Sequence, residues 1–228
     1  MLVLFDIDGT LLLRASEAHR DALHAALRQV HRIADPGNAH VQPAGRTDGE
    51  IARAIALQSG VSAARVDERA EAVRDVCCHE YALRCPDDLS GHVAPGVLGL
   101  LEDLTAREGV RLALVTGNYE QVARLKLARA GLGDWFAPGQ GGFGSDHEDR
   151  AALPGIARRR AGEGDTPWPR ERTVVIGDTP NDIACARADG VRCLAVATGP
   201  FPVEALAGAD AVAPDATSLR PLLDAALA

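Results

Sequence analysis

The sequence predicts an α/β protein, a doubly wound parallel sheet of Rossmann type with a small all-helical domain inserted near its start. Three observations lead there. Short apolar runs bounded by turn residues recur at 2–5, 112–115, 173–176 and 191–196, the pattern of buried strands. The segments between the last three runs read as helices that each end at a glycine: Gly131, Gly162 and Gly190. Residues 15–90 carry helical periodicity without a convincing strand. Strands alternating with helices imply a parallel sheet covered on both faces.

Taken in order, the first run, Leu2 to Phe5, is a strand broken at once by Asp6 and Asp8. Three amphipathic helices follow, Ala15 to Ile33, Asp48 to Gln58 and Ser62 to Arg84. The chain returns through two turn-rich stretches, Cys85-Pro86-Asp87-Asp88 and Ala94-Pro95-Gly96. The expected division is therefore an α/β core of residues 1–14 and 91–228 with an inserted helical domain at 15–90. Within the core, helices are predicted at 118–130, 149–161 and 180–189, the last opening on Pro180, a residue suited to a helix start. The polar stretch from Ala161 to Arg172 reads as a surface loop.

Composition narrows the partners. A net charge of -8 over 228 residues gives no electrostatic reason to expect nucleic acid or an anionic membrane. No apolar stretch approaches the roughly 20 residues that span a bilayer. The opening apolar run lacks the basic leader of a secretory signal. Five cysteines at irregular spacing form no disulfide framework and suit a reducing cytoplasm. The group Cys77-Cys78-His79 with Cys85 lacks the paired spacing of structural zinc sites. The stretch Gly139-Gln140-Gly141-Gly142-Phe143-Gly144 has the letters of a dinucleotide fingerprint. No strand precedes it and acidic residues follow where a pyrophosphate would sit, so a glycine-rich strand or loop is the better reading.

The chemistry gathers at the predicted carboxyl ends of strands, where open parallel sheets bind their ligands. The first strand ends in Asp6-Ile7-Asp8-Gly9-Thr10, two carboxylates on one face of an extended chain with a glycine for the turn. The second ends in Thr116-Gly117-Asn118, which offers a hydroxyl and free amides at a helix start. Helix capping by Thr116 and Asn118 is the simpler alternative there. The third ends in Gly177-Asp178-Thr179-Pro180-Asn181-Asp182. Asp6, Asp8 and Asp178 together would repel one another unless a cation compensates, and their hard oxygens suit magnesium.

In these three motifs, in their order and in their strand context, the chain resembles the haloacid dehalogenase superfamily. It is similar to the branch with a small helical cap that includes phosphoglycolate phosphatase-like enzymes and β-phosphoglucomutase. The resemblance implies a magnesium-dependent phosphatase acting on a small phosphorylated metabolite, with Asp6 as the nucleophile that forms an aspartyl-phosphate and Asp8 as acid and base. It implies that Asp6, the main-chain carbonyl of Asp8 and Asp178 hold magnesium, and that Asp182 orients water or metal without binding it directly. Thr116 with the amides of Gly117 and Asn118 would hold the phosphoryl oxygens.

Asp8 argues against carbon–halogen cleavage, because haloacid dehalogenases resemble this pattern without that second aspartate. Arg46 and Thr47 stand in a segment similar to the cap loop that selects substrate, and Thr47 or Asp48 could instead be a simple helix cap. The resemblance also asks for a cation near the nucleophile. Lys126, the sole lysine of the chain, stands on the helix after the second motif, and Arg150 is the alternative. A phosphomutase using the same residues, or a binding module without turnover, are the competing readings. The substrate, and whether the protein is a monomer or a homodimer, are not specified by the sequence.

Overall fold

The computed structural model describes residues 1–227. Six parallel strands lie in the order β3-β2-β1-β4-β5-β6. They are β1 (Leu2–Phe5), β2 (Arg111–Thr116), β3 (Gly142–Phe143), β4 (Thr173–Gly177), β5 (Arg192–Val196) and β6 (Ala211–Ala213). β1 is central, pairing with β2 on one side and β4 on the other. The chain builds outward from β1 to β3, then returns to build β4 to β6 on the opposite side. The reversal leaves a crevice at the carboxyl ends of β1 and β4, the position where such sheets bind ligands.

The burial of β1 follows its period of two. Val3 and Phe5 face one apolar layer with Leu100, Leu101 and Leu104 of α4 (Val97–Thr105), Ala123 and Leu127 of α5 (Glu120–Arg129), and Leu219 and Leu223 of α8 (Leu219–Leu227). Leu2 and Leu4 face the other layer, with Leu153, Ala157 and Ala161 of α6 (Leu153–Ala161) and Ile183 and Ala186 of α7 (Pro180–Asp189). A strand buried on both faces has no reason to alternate with polar residues, and β1 does not.

Between β1 and α4 stand α1 (Glu17–His31), α2 (Asp48–Gln58) and α3 (Ala63–Arg84). They share a separate apolar cluster that includes Leu23, Leu27, Ile55, Val73, Cys77 and Tyr81. Tyr119 and Val122 of the core join this cluster, so the insertion is seated on the first turn of α5. Its two chain crossings run side by side: the Leu13 amide donates to the His92 carbonyl at 2.8 Å, and the Ala94 amide to the Leu11 carbonyl at 2.9 Å. No helix of the described residues is long and apolar enough to cross a membrane.

All four predicted strands are present, with β5 starting one residue later than its apolar run, and α2 and α7 have the predicted bounds. Three differences have physical causes. The predicted helix at 118–130 starts two residues later, because Asn118 and Tyr119 are drawn into the site rather than into the helix. The segment at 149–161 opens as a tight 3-10 turn at Arg150–Ala152 before α6 begins. β3 and β6 are only two and three residues of small side chains plus one aromatic or valine, too short for a pattern. α4 does carry one: Val97, Leu100, Leu101 and Leu104 repeat at helical spacing and are all buried.

The loop before α2 lies directly on the core. The Asp48 amide donates to the Gly117 carbonyl at 2.8 Å, and a Cβ on Gly117 would stand 2.0 Å from the Arg46 carbonyl oxygen. Gly117 is therefore a close-approach glycine. Gly117→Ala is expected to push the 44–48 loop off the core and to speed tryptic cleavage after Arg46 by at least about tenfold, since opening a docked segment governs its proteolysis. Time courses of limited proteolysis by mass spectrometry check this, and an unchanged rate contradicts the close packing.

Candidate active site

Asp6 follows β1 and Asp178 follows β4, and the parallel register that sets Phe5 beside Ile176 brings the two carboxyl groups together. Asp182 reaches the same point from the first turn of α7. Oxygens of Asp6, Asp178 and Asp182 lie within 4.8 Å of one another, and all three residues are buried. Asp182 is already engaged: its Oδ2 accepts from the Thr179 amide at 3.0 Å and the Thr179 hydroxyl at 2.7 Å, which closes a capping box at the start of α7. Its other oxygen accepts from Arg150.

Arg150, in the 3-10 turn before α6, is buried and reaches Asp6 Oδ1 at 3.2 Å while bonding Asp182. The Thr10 hydroxyl donates to Asp178 Oδ1 at 3.1 Å. Asp178 Oδ2 is buried without a hydrogen-bond partner among the described residues. The carboxylate of Asp178 lies against two glycines: a Cβ on Gly9, whose φ is +92°, would fall 2.2 Å from it, and one on Gly199 would fall 1.7 Å from it. Only glycine serves at position 9, on both steric and dihedral grounds.

Asp8 points the other way. Lys126 Nζ is 2.9 and 2.8 Å from its two oxygens, and Asn118 Nδ2 donates to Oδ2 at 3.1 Å. Lys126 is fully buried, two turns into α5 from Asn118, and also donates to Asn118 Oδ1 at 3.0 Å. The two cations are thus divided, Arg150 on Asp6 and Asp182, and Lys126 on Asp8. Both cations offered by the sequence thus meet a carboxylate of this group, each a different one.

The electrostatics follow. Burial pushes Asp6 up to about 7 against the opposing pull of Arg150, with Asp182 and Asp8 adding to the rise. Burial pushes Asp178 up to about 8, with Asp6 and Asp182 adding to it. Burial would raise Asp8 as well, but Lys126, with Asn118 donating beside it, outweighs burial and holds that carboxyl below its ordinary value. Four carboxylates share two cations, so an excess of negative charge remains when all are ionised. The unpartnered buried oxygen of Asp178, beside Asp6, fits a hard divalent cation.

Thr116 is fully buried at the end of β2, its hydroxyl accepting from the Asn118 amide at 3.3 Å. Neither Thr116 nor Asn118 caps α5, whose N-cap residue is Tyr119 with no side-chain cap bond, so the simpler alternative for this motif does not hold. Thr47 does cap α2, accepting from the Glu50 amide at 3.1 Å, and its hydroxyl also donates to the Glu148 carbonyl of the core at 2.6 Å. Arg46 is partly exposed beside the Gly117 loop and pairs with Glu50 at 3.4 Å.

Several residues at the site had no site role predicted from the sequence: Thr10, His19, Asp48, Thr198, whose hydroxyl donates to the Gly9 carbonyl at 2.6 Å, and Glu148 through its carbonyl. His19 and Asp48 sit on the buried faces of helices from the insertion and meet the core across long stretches of chain. No spacing in the sequence signals such a meeting.

A sheet with this strand order, an aspartate pair after the central strand and a second acidic cluster after its neighbour defines a class. The family of haloacid dehalogenase-like hydrolases matches residues 3–187, and an HAD-like hydrolase family matches 151–224. The chain belongs to the haloacid dehalogenase-like hydrolases. Among curated relatives, it is 34% identical over 227 residues to a phosphoglycolate phosphatase of Rhodospirillum rubrum, covering 95% of this chain and 88% of that protein. It is 28% identical to phosphoglycolate phosphatase 1 of Pseudomonas aeruginosa, covering 87% of this chain and 70% of that one. Among solved structures, a hydrolase from Pseudomonas syringae superposes with a TM-score of 0.65 at 22% identity over 99% of each chain. CbbY from Rhodobacter sphaeroides in complex with phosphate superposes with a TM-score of 0.62 at 22% identity, over 96% of this chain and 95% of that one. These superpositions show the shared fold.

Asp178→Asn tests the crowding. A carboxyl raised on folding contributes stability below its unfolded value of 3.8 and loses it as pH rises through about 8. In chelator, Asp178→Asn is therefore expected to be more stable than the unsubstituted protein, by a margin that grows between these limits. Urea midpoints taken from pH 5 to pH 8.5 check the sign; a margin that shrinks with pH contradicts it.

Proposed function

We propose that this chain is a magnesium-dependent phosphatase that hydrolyses a small phosphomonoester through an aspartyl-phosphate on Asp6. The observation that carries the reading is the division of cations: Arg150 with the carboxylate at Asp6, Lys126 with the carboxylate at Asp8, and a partnerless buried oxygen on Asp178 between β1 and β4. A nucleophile, a separate acid–base group and a place for a hard cation are what two displacements at phosphorus require. The relatives named phosphoglycolate phosphatase make 2-phosphoglycolate the first substrate to try.

In this reading an Asp6 oxygen attacks phosphorus and the ester oxygen leaves, taking its proton from Asp8. Lys126 holds Asp8 ionised in the free protein, which suits the later removal of a proton from the attacking water. Arrival of the phosphoryl dianion works against Lys126 and raises Asp8 toward the protonated form needed first. The Thr116 hydroxyl and the amides of Gly117 and Asn118 hold the phosphoryl oxygens. Asp6, Asp178 and the main-chain carbonyl of Asp8 would hold magnesium, with Asp182 fixing Arg150 and the start of α7 beside them. When bound, the ion supplies the positive charge that lets an anionic substrate approach an anionic nucleophile.

Residues 15–90 act as a cap that docks over the site and opens to exchange ligands, with Arg46 placed to meet the substrate's leaving group. Five free cysteines fit a reducing cytoplasm.

The experiment is phosphate release from a panel of phosphomonoesters, 2-phosphoglycolate included, with magnesium and with chelator. Magnesium-dependent release from at least one ester is expected; full turnover in chelator, or no release from any, overturns the reading. Isomerised sugar phosphate without free phosphate would mark a mutase instead. Asp6→Asn nearly preserves volume and is expected to remove turnover, leaving less than about a tenth of the rate, because the uncatalysed reaction is among the slowest known. Acid-quenched protein checked for a phosphoryl adduct on Asp6 completes that test.

The two cations separate by variant. Lys126→Ala is expected to lower kcat about 10²-fold, comparable to losing one strong electrostatic stabiliser. Arg150→Ala is expected to weaken phosphorylation of Asp6 and also to destabilise the fold, since it strands two buried carboxylates. Steady-state kinetics alongside urea midpoints distinguish the two; a Lys126→Ala protein with ordinary kinetics would contradict the assignment.

A further inference from the structure

Lys126 is fully buried and carries three N–H donors, and the structure accounts for all three. They face the Asp8 carboxylate, Asn118 Oδ1 at 3.0 Å and His19 Nδ1 at 3.4 Å. An ammonium can donate to Nδ1 only if that nitrogen has no proton, so the His19 proton belongs on Nε2. Nε2 faces Asp48 Oδ2 at 3.0 Å. An acceptor on one ring nitrogen sets the tautomer and thereby frees the other.

Asp48 does more than orient His19. The same Oδ2 accepts from the Tyr119 amide at 2.7 Å, and the Asp48 amide donates to the Gly117 carbonyl at 2.8 Å. Gly117 and Tyr119 flank Asn118, whose side chain donates to Asp8 at 3.1 Å. Two routes therefore run from Asp48 to Asp8, one through His19 and Lys126, the other through the loop that carries Asn118. His19 and Asp48 belong to the insertion, and Lys126, Asn118, Tyr119 and Asp8 to the core. His19 is held against Tyr81 of α3, ring centroids 5.6 Å apart and edge to face, so it arrives with the insertion already oriented.

We propose that Asp48 is a positioning residue for Asp8: docking of the insertion seats the Asp48–His19 pair on Lys126 and the Asn118 loop, and this sets the orientation of the acid–base carboxyl. The proposal rests on the phosphatase reading above for the role of Asp8, while the Asp48–His19–Lys126 arrangement stands apart from it. Protonation of the leaving oxygen is then efficient only with the insertion docked.

The test uses leaving groups. An alkyl ester such as 2-phosphoglycolate needs a proton on its leaving oxygen, whereas p-nitrophenyl phosphate expels a stable anion without one. Asp48→Ala and His19→Leu are each expected to lower kcat/KM on 2-phosphoglycolate, which reports the steps through departure of the leaving oxygen, by about 30-fold or more while changing kcat/KM on p-nitrophenyl phosphate less than about 3-fold. His19→Leu keeps the Asp48 bond to the Tyr119 amide and so remains informative if Asp48→Ala folds poorly. The double variant is expected to be no worse than the more damaged single one, as for residues acting in one chain.

Equal losses of kcat/KM on both esters, or losses that multiply in the double variant, overturn the proposal. A second readout needs no turnover: ¹⁵N spectra of histidine-labelled protein, with the His19 signals assigned by their absence in His19→Leu, are expected to show a protonated Nε2 and an unprotonated Nδ1. A protonated Nδ1 overturns the relay. If the unsubstituted enzyme releases phosphate from no ester of the panel, the phosphatase reading falls, and the spectra alone decide the Asp48–His19–Lys126 arrangement.

Discussion

Asp6, Asp178 and Asp182 converge at the carboxyl ends of β1 and β4 because parallel register leaves their carboxyl groups nowhere else to go, and their mutual repulsion has to be absorbed locally. Buried like charges raise each other's proton affinity or recruit opposite charge. Both responses are present: Asp6 and Asp178 are pushed up, and Arg150 is drawn in from the turn before α6. The late start of α6, the capping box at α7 and the glycines at 9 and 199 are all consequences of making room for that cluster. The structure accepts a costly grouping of charge at one point, which is the usual mark of a site kept for chemistry rather than for stability.

The second pole of the site, Asp8 with Lys126, obeys the opposite rule. Here one carboxylate meets one dedicated ammonium, and the pair is satisfied. Two acids only two residues apart thus sit in opposite electrostatic settings. In the proposed reaction, this divergence separates the nucleophile from the proton donor.

Most of the core was legible because its signals are local. Runs of apolar residues ending in Asp6, Thr116 and Asp178 each announce a strand and the polar residue at its mouth within one short stretch of chain. Gly117 was legible as part of a loop motif, but not as the point where the Arg46 carbonyl touches the core. What escaped was either too short, as in β3 and β6, or depended on contacts between distant segments, as in His19 with Lys126. The partition of Lys126 and Arg150 between two carboxylates belongs to that second kind. Sequence spacing offered both cations and no means of deciding which carboxylate each would face, since only the packing of α5 and the turn at Arg150 determines it.

The central place of β1 also has a kinetic meaning. Its residues pair with 111–114 on one flank and 173–176 on the other, with the whole helical insertion lying between β1 and its first partner. Contacts of such long sequence separation form late, because the loop must close before any pairing is gained. As the chain emerges from the ribosome, Asp6 exists long before β4 can anchor it, and Asp178 is made only after β4 itself. The inserted helices share their own apolar cluster and can gather earlier. A nascent chain can therefore gather its inserted helices while the carboxylates of Asp6 and Asp178 remain apart, and the site is assembled only when the second half of the sheet closes around the first strand.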